Sequence, residues 1–477
     1  RNFLAAGGKV IAMGRHPTRL EGEPSEEVEA LFAHENVVRI PAKRDELRDA
    51  LQAILPRRVS IAADGAREVA SVIYHERKYR GRSYVMLANR DRDAGYRVTV
   101  ALPGLGAVEQ WDLETGRTQP LATRGHGERT LVDIELPATG SAALVLDPKK
   151  RGRGRRRASA ETVREVVLGD EWQVRRSMEN SLVLDRCQWR LADGEWSGPM
   201  PVFEAQRRIR AEMGLLDISH SSIPQPWVRY AEPSTVAPRT VELRFRFDTD
   251  RIPDGGMDLV LESAELFEVA VNGTAIGKSD KGWWLDKSMD RVPLAHVKVG
   301  RNELVLQCEY RDAPEYELEE CYLIGDFGVD RATDAIGTEP RTVRAGDWCD
   351  QGYPYYAGNL FYGQQVNLRL KAGERAAVKI GPHFGACVAV HVNGKLAGVR
   401  GWAPYEVDVT RQVEPGRNLI EIEVCGSPRN LLGPNHLPEK RPSWTGPGEF
   451  IRLDEWVEKR NLVPYGIFGE ASVRILR

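Results

Sequence analysis

Hydrophobic and polar positions alternate along most of the chain, and one alternating pattern occurs twice. From Val241 to Cys308 it opens with Val241, Leu243, Phe245 and Phe247 set against Glu242, Arg244 and Arg246; from Val366 to Cys425 it opens with Val366, Leu368 and Leu370 against Asn367 and Arg369. A period of two is that of a strand with one buried face. Each copy then reaches a short apolar run ending in the same tripeptide, Val271-Asn272-Gly273 and Val392-Asn393-Gly394. Asn-Gly is the strongest two-residue hairpin signal, because both residues tolerate positive φ. A tryptophan and an acidic turn follow (Trp284 with Asp286; Trp402 with Asp408), and Gly300-Arg301-Asn302 or Gly416-Arg417-Asn418 leads into a last alternating strand. The copies lie roughly 120 residues apart, which is domain-sized and too long for a solenoid unit. The pattern therefore predicts two related β-sandwiches, over 161–335 and 336–477. Residues from about Glu161 to Tyr230, with Trp172, Trp189, Trp196 and Trp227, are expected to supply the opening strands and covering loops of the first.

The first 75 residues differ. A strand from Lys9 to Met13, a helix from about Ser25 to His34, a strand from Val37 to Ile40 and a helix with Leu47, Ala50, Leu51, Ile54 and Leu55 on one face make an α/β pattern. Two strands and two or three helices are too few for a sheet covered on both faces, so 1–75 reads as an incomplete α/β domain, the tail of a larger one. Gly7, Gly8 and Gly14 match neither dinucleotide nor phosphate-loop spacing and read as helix-strand punctuation. Over 80–148, Val98, Val100 and Leu102 and then Val132, Ile134 and Leu136 alternate with polar residues between turn signals, which predicts a small antiparallel β-domain. The fold class is thus mainly β. A basic run, Lys149 to Arg157 within 149–160, reads as a solvated linker.

Acidic and basic residues nearly balance at a net charge of −2, and no aromatics interleave with the basic run, so no nucleic-acid partner is expected. No apolar run approaches the ~18 residues of a membrane helix, so no membrane partner is expected either. The six cysteines (Cys187, Cys308, Cys321, Cys349, Cys387, Cys425) show no zinc spacing. Cys308 and Cys425, at equivalent strand ends, read as small hydrophobes not paired with each other.

Leu323-Ile324-Gly325-Asp326-Phe327-Gly328-Val329, then Gln351-Gly352-Tyr353-Pro354-Tyr355-Tyr356-Ala357-Gly358, and Gly426-Ser427-Pro428-Arg429-Asn430-Leu431-Leu432-Gly433-Pro434 resemble the C-terminal part of large bacterial glycoside hydrolases similar to family 106 α-L-rhamnosidases. The Val-Asn-Gly strand followed by tryptophan resembles the jelly-roll, galactose-binding-like domain of family 2 glycosidases. Ala6-Gly7-Gly8-Lys9-Val10-Ile11 is similar to the amidotransferase-like domain that follows the barrel in such enzymes, and Trp111-Asp112-Leu113-Glu114-Thr115-Gly116 resembles the small β-domain beyond it. The resemblance implies two jelly-roll-like sandwiches, a periplasmic or extracellular location, and catalytic carboxylates on an upstream (β/α)₈ barrel. No residue here matches that catalytic motif, and no eight-fold βα alternation is present.

Sugar binding asks for a flat aromatic face and a few planar polar groups. Trp284, Trp402, Tyr405, Tyr353 and Tyr355 are the candidate rings, with Trp283 and Tyr356 beside them; Asn272, Asn393 and Arg400, with Asp286, are the candidate hydroxyl partners. Each ring could equally belong to a core. Glycoside hydrolysis needs two carboxylates about 5–10 Å apart, one held protonated. The dense acids near aromatics are Glu315, Glu317, Glu319 and Glu320, which a solvated loop explains, and Asp347 with Asp350, which turn or cap roles explain. Jelly-roll sugar-binding domains often carry a structural calcium, but no loop here has an identifiable ligand spacing. Ser219-His220-Ser221 lacks the elbow of a serine hydrolase and reads as a polar turn. The expectation is an accessory, carbohydrate-binding portion of a glycoside hydrolase, its partners an oligosaccharide or polysaccharide and an upstream catalytic barrel. The alternatives are a self-sufficient hydrolase using loop carboxylates and a purely structural assembly module.

Overall fold

The computed structural model describes residues 1–55, 57–63, 67–152, 161–192, 194–218, 225–277, 281–438 and 455–477. The chain divides into two compact units, 1–158 and 159–477. Both are dominated by antiparallel sheets, and the chain is mainly β as its alternation requires.

The first unit begins with two parallel strands, Val10–Met13 and Val37–Ile40, joined through the helix Glu26–Phe32 and followed by the helix Arg44–Ile54. Ser25 caps the first helix, its side chain accepting from the Val28 N–H. Leu4 and Ala12 are the only buried residues among 1–55. On the second helix Leu47, Ala50 and Ile54 are half-buried, while Leu51 and Leu55 remain exposed with Phe3, Met13 and Leu20.

The rest of this unit is a sandwich of two five-stranded sheets around Val59, Ile61, Val85, Leu87, Val98, Val100, Val132 and Leu144. Ser60–Ala63 pairs with Tyr96–Pro103 inside it. The sandwich therefore starts near residue 59, where the sequence pattern assigned 1–75 to the α/β segment. Ser60-Ile61-Ala62-Ala63 is too short and too weakly alternating to declare a partner. At the far end Asp147 ties down the start of the basic run, accepting from the Lys149 N–H at 3.0 Å. Residues 153–160 of the expected linker lie outside the described residues, as do Ser219, His220 and Ser221.

The second unit holds two sandwiches with separate cores. In the first, Asn180–Leu184, Cys321–Gly325, Met257–Glu262, Asp286–Pro293 and Trp283–Trp284 form one sheet. The facing sheet is built on the long pair Arg239–Thr249 and Gly300–Tyr310, flanked by Arg186–Leu191 on one side and the hairpin Glu268–Val271 with Thr274–Ile276 on the other. The second sandwich repeats this plan: Leu360–Leu368 pairs with Gly416–Cys425, and the hairpin Cys387–Val392 with Lys395–Arg400 follows at the edge. Its other sheet runs Thr162–Val167, Ser472–Leu476, Arg375–Lys379, Glu406–Asp408.

One boundary differs from the sequence expectation. Thr162–Val167 pairs with Ser472–Leu476, and Glu171–Arg176 with Thr342–Arg344 and Leu360–Leu368. Residues 162–176 thus belong to the second sandwich; the chain leaves it, builds the first, and returns. Alternation marks a strand but is silent on its partner. The return segment packs by its rings: Tyr355 enters the first core, while Tyr353 and Tyr356 enter the second.

Candidate functional site

The Asn-Gly hairpins are the most repetitive local structure. Asn272 and Gly273 have φ of 50° and 81°, and Asn393 and Gly394 have 52° and 74°, the positive pair that a two-residue hairpin needs. Each asparagine side chain then clamps the neighbouring long strand. Asn272 Nδ2 donates to Asn302 Oδ1 at 2.9 Å and its Oδ1 accepts from the Glu303 N–H at 3.1 Å. Asn393 does the same to Asn418 Oδ1 (2.9 Å) and the Leu419 N–H (2.9 Å). Asn302 and Asn418, both buried, donate in turn to carbonyls of the preceding turn, Lys298 and Gly300 or Glu414 and Gly416. Asn272 and Asn393 are therefore committed to the fold, and the hydroxyl-binding role expected of them is not what these contacts serve.

The expected aromatic candidates separate in the same way. Trp284 is 4% exposed, its ring 6.3 Å from that of Tyr322 inside the first core. Tyr353 and Tyr355 are buried, with Tyr353 Oη donating to the Pro340 carbonyl at 3.0 Å. None of the three can present a face to a ligand. Trp402, at the equivalent place in the second copy, is 38% exposed, and Tyr405 is half-buried, edge-on to His383 at 4.2 Å. Arg400 stands next to them, donating to the Glu406 and Val399 carbonyls at 2.9 Å each. Trp283 is 54% exposed, and Asp286 folds onto its own turn, accepting from the Ser288 N–H and hydroxyl. Asp347 caps the short helix Trp348–Asp350 and also accepts from the Tyr465 N–H, while Asp350 pairs with Arg331 at 2.6 Å.

Sequence reasoning missed a charged cluster between the two sandwiches. Asp185 sits at the corner where the chain passes from Asn180–Leu184 in one sheet to Arg186–Leu191 in the other, and its side chain is 5% exposed. Arg460 grips it with both ends of its fork, 2.7 Å to Oδ1 and 2.8 Å to Oδ2. His436 Nε2 lies 2.9 Å from Oδ2, its ring stacked on Trp456 at 3.8 Å, and its Nδ1 lies 2.8 Å from the Val457 carbonyl. Both nitrogens thus lie within hydrogen-bond reach of an acceptor. Arg460 also donates to Tyr355 Oη at 2.7 Å and to Asp334, and Tyr355 Oη donates to Asp334 at 2.6 Å.

Burial works against the Asp185 charge, but the hydrogen bond from His436 and the Arg460 guanidinium outweigh it and hold the carboxyl down at about 2. Glu320 follows the opposite course: desolvation, then the charges of Asp185 and Glu319, push it up to about 8. Glu319 is pushed to about 7 by desolvation and by Glu317 and Glu262. Carboxyls driven apart in this way resemble an acid-base pair. Yet both oxygens of Asp185 are occupied, and its burial keeps a sugar ring away. Among the described residues no group of three or more His, Cys, Asp or Glu is placed to hold a metal ion, and no helix is long and apolar enough to cross a membrane.

No protein-family model matches the chain. A protein of Formosa agariphila named "Putative beta-glucuronidase" is 27% identical over 149 residues, covering 27% of this chain and 13% of that protein. The structure of a rhamnosidase from Novosphingobium sp. PP1Y aligns over 99% of this chain and 32% of its own, at 15% identity and a TM-score of 0.44. The Streptomyces avermitilis α-L-rhamnosidase aligns over 77% of this chain and 36% of its own (14% identity, TM-score 0.24), and a family 2 β-galacturonidase from Eisenbergiella tayi over 52% and 37% (11%, 0.20). The chain thus spans well under half the length of each of these four proteins.

Proposed function

We propose that this chain is the accessory, carbohydrate-engaging region of a larger glycoside hydrolase of the α-L-rhamnosidase kind, whose catalytic barrel lies outside these residues. The observation that carries the reading is the two-stranded parallel layer at 10–40. Parallel strands are stable when covered on both faces, and two strands do not make a free-standing sheet. Here the layer buries only Leu4 and Ala12 and leaves Phe3, Met13, Leu20, Leu51 and Leu55 in solvent, a surface that calls for further protein against it. The sandwiches then act as scaffold, with the exposed Trp402 and, beside it, the half-buried Tyr405 and Arg400 as a ring-and-guanidinium platform for sugar. The names of the similar proteins agree with a glycosidase setting.

The test is hydrolysis of an aryl-glycoside panel, including α-L-rhamnoside, by the purified chain, beside affinity electrophoresis in gels carrying soluble polysaccharides. The expected result is no turnover, with retardation that weakens in Trp402→Ala. Turnover by this chain alone would overturn the reading.

The opposed ionisation of Asp185 and Glu320 favours a second reading, a self-sufficient hydrolase using Glu319 or Glu320 as the protonated acid. It requires turnover that disappears in Glu320→Gln, and the closed shell around Asp185 weighs against it.

A further inference from the structure

Among the described residues the first sandwich has a cavity at one side. Thr274–Ile276 ends one sheet and Trp283–Trp284 ends the other, and between them lies a cavity of about 710 Å³, within the range of small-ligand sites. Phe267, Val269 and Val292, each nearly buried, form its apolar floor, and Ile276 its wall. The rim carries Glu265, Glu268, Asp290 and Arg291.

The charges on this rim select among ligands. Arg291 is already neutralised: its guanidinium lies 2.7 Å from Asp258 and 3.1 Å from Glu179. Asp290 uses one oxygen on the Ala264 N–H at 3.1 Å, and the exposed Glu268 carboxylate has no partner among the described residues. A uronate or phosphate would bring its charge against these carboxylates, and among the described residues the neighbouring cations, Arg291 and Lys281, are both already paired with Asp258. Hydroxyl groups, by contrast, donate to carboxylate oxygens, and two neighbouring hydroxyls can share one carboxylate. The floor offers the matching surface for the C–H face of a pyranose.

We infer that this cavity is a binding site for one or two residues of a neutral sugar, held by Glu268 and Asp290 through hydroxyls and by Phe267, Val269 and Val292 through its apolar face. The inference rests on the carbohydrate-engaging reading above and adds a site distinct from Trp402. It leaves the reacting bond elsewhere: the pocket holds glycan and does no chemistry on it.

The experiment is calorimetric titration of the whole chain with neutral pyranoses and their oligomers, paired with the corresponding uronates. Variants are Ile276→Trp, which fills the wall from an edge strand; Glu268→Gln, on an exposed position that leaves folding intact; and Trp402→Ala. Thermal unfolding verifies that each remains native. A neutral ligand is expected to bind in preference to its uronate, with affinity lowered about tenfold or more by Ile276→Trp and by several-fold in Glu268→Gln. A uronate or an amino sugar bound more tightly than its neutral counterpart would overturn the assignment. So would neutral-sugar binding that survives both pocket variants and vanishes in Trp402→Ala, an outcome that would leave the broader reading standing. Failure of the native chain to bind any carbohydrate would overturn both.

Discussion

Replacing Asp185 by Asn removes one charge and keeps the shape, so it isolates what the carboxylate does for the fold. Two routes give its size. Breaking a buried ion pair by removing one partner costs about 3–5 kcal/mol, because the other charge stays behind uncompensated; Arg460 keeps Asp334 and Tyr355, which places the loss at the lower end. Independently, a carboxyl lowered from 3.8 to about 2 on folding contributes about 2.5 kcal/mol at 1.36 kcal/mol per pH decade. The two agree on about 3 kcal/mol. A lowered folded pKa means that this stability is present above pH 3.8 and is lost as the pH falls towards 2. Urea denaturation followed by tryptophan fluorescence reads the right unit, since Trp111 is the only one of the eleven tryptophans outside it. The variant should unfold about 3 kcal/mol more easily at pH 7, and the difference should shrink as both proteins approach pH 2. A loss below about 1 kcal/mol at pH 7, or one indifferent to pH, would refute the assignment of Asp185 as the ionised keystone.

Three further outcomes are expected. Glu320→Gln should match the native chain at pH 5 and exceed it by about 1–2 kcal/mol at pH 9, because a carboxyl raised from 4.5 to about 8 is fully accommodated below 4.5 and increasingly strained as pH rises through 8, with solvent at the half-exposed side chain screening part of the effect; equal stability at pH 9 in chemical denaturation would count against this. Asn393→Ala loses both the left-handed tolerance and the Asn418 clamp and should cost about 2 kcal/mol, recovered in part by Asn393→Gly, which restores only the backbone; calorimetry showing Asn393→Gly as stable as the native chain would remove the clamp from the account. Cys387 and Cys425 are Cα partners on adjacent strands, and both are half-exposed. Oxidised glutathione should therefore close a disulfide between them, read as a 2 Da loss in intact mass that is absent in Cys387→Ser. The reaction should be slow at neutral pH, since burial and the neighbouring thiol push Cys425 up to about 12.

Much of the fold was legible because it is written locally. Val271-Asn272-Gly273 and Val392-Asn393-Gly394 announce their hairpins, and period-two alternation announces the long strands on either side. The second half of each clamp is not local: Asn302 and Asn418 lie 30 and 25 residues beyond their partners and look like ordinary turn residues in Gly-Arg-Asn. The same limit hid the placement of 162–176, whose alternation fits either sandwich equally well. Trp284 and Trp402 show the limit at the site itself. Their equal position in the repeat suggested one role, but the first copy carries two tryptophans in succession on a strand, and opposite faces of a strand cannot both meet solvent here. Trp283 faces out and Trp284 faces the core.

The junction illustrates why a perturbed carboxyl does not by itself locate catalysis. Asp185 meets His436 and Arg460 across 251 and 275 residues of sequence, a convergence that no spacing could foretell. Their effect on its ionisation is as large as that at many active sites. What separates structural from catalytic use is the freedom of the group to change partners. A nucleophile must release its hydrogen bonds towards a reacting atom, whereas both Asp185 oxygens are held in a buried site by Arg460 and His436. The burden then passes to Glu320, whose proton is retained first by desolvation and then by the neighbouring charges of Asp185 and Glu319. That dependence has a direction: neutralising Asp185 should lower the Glu320 pKa, whereas Glu320→Gln should leave Asp185 ionised and the Arg460 fork intact. Carboxyl NMR titration of Asp185→Asn would decide it, and an unmoved Glu320 would mean that desolvation and Glu319 hold the proton without Asp185.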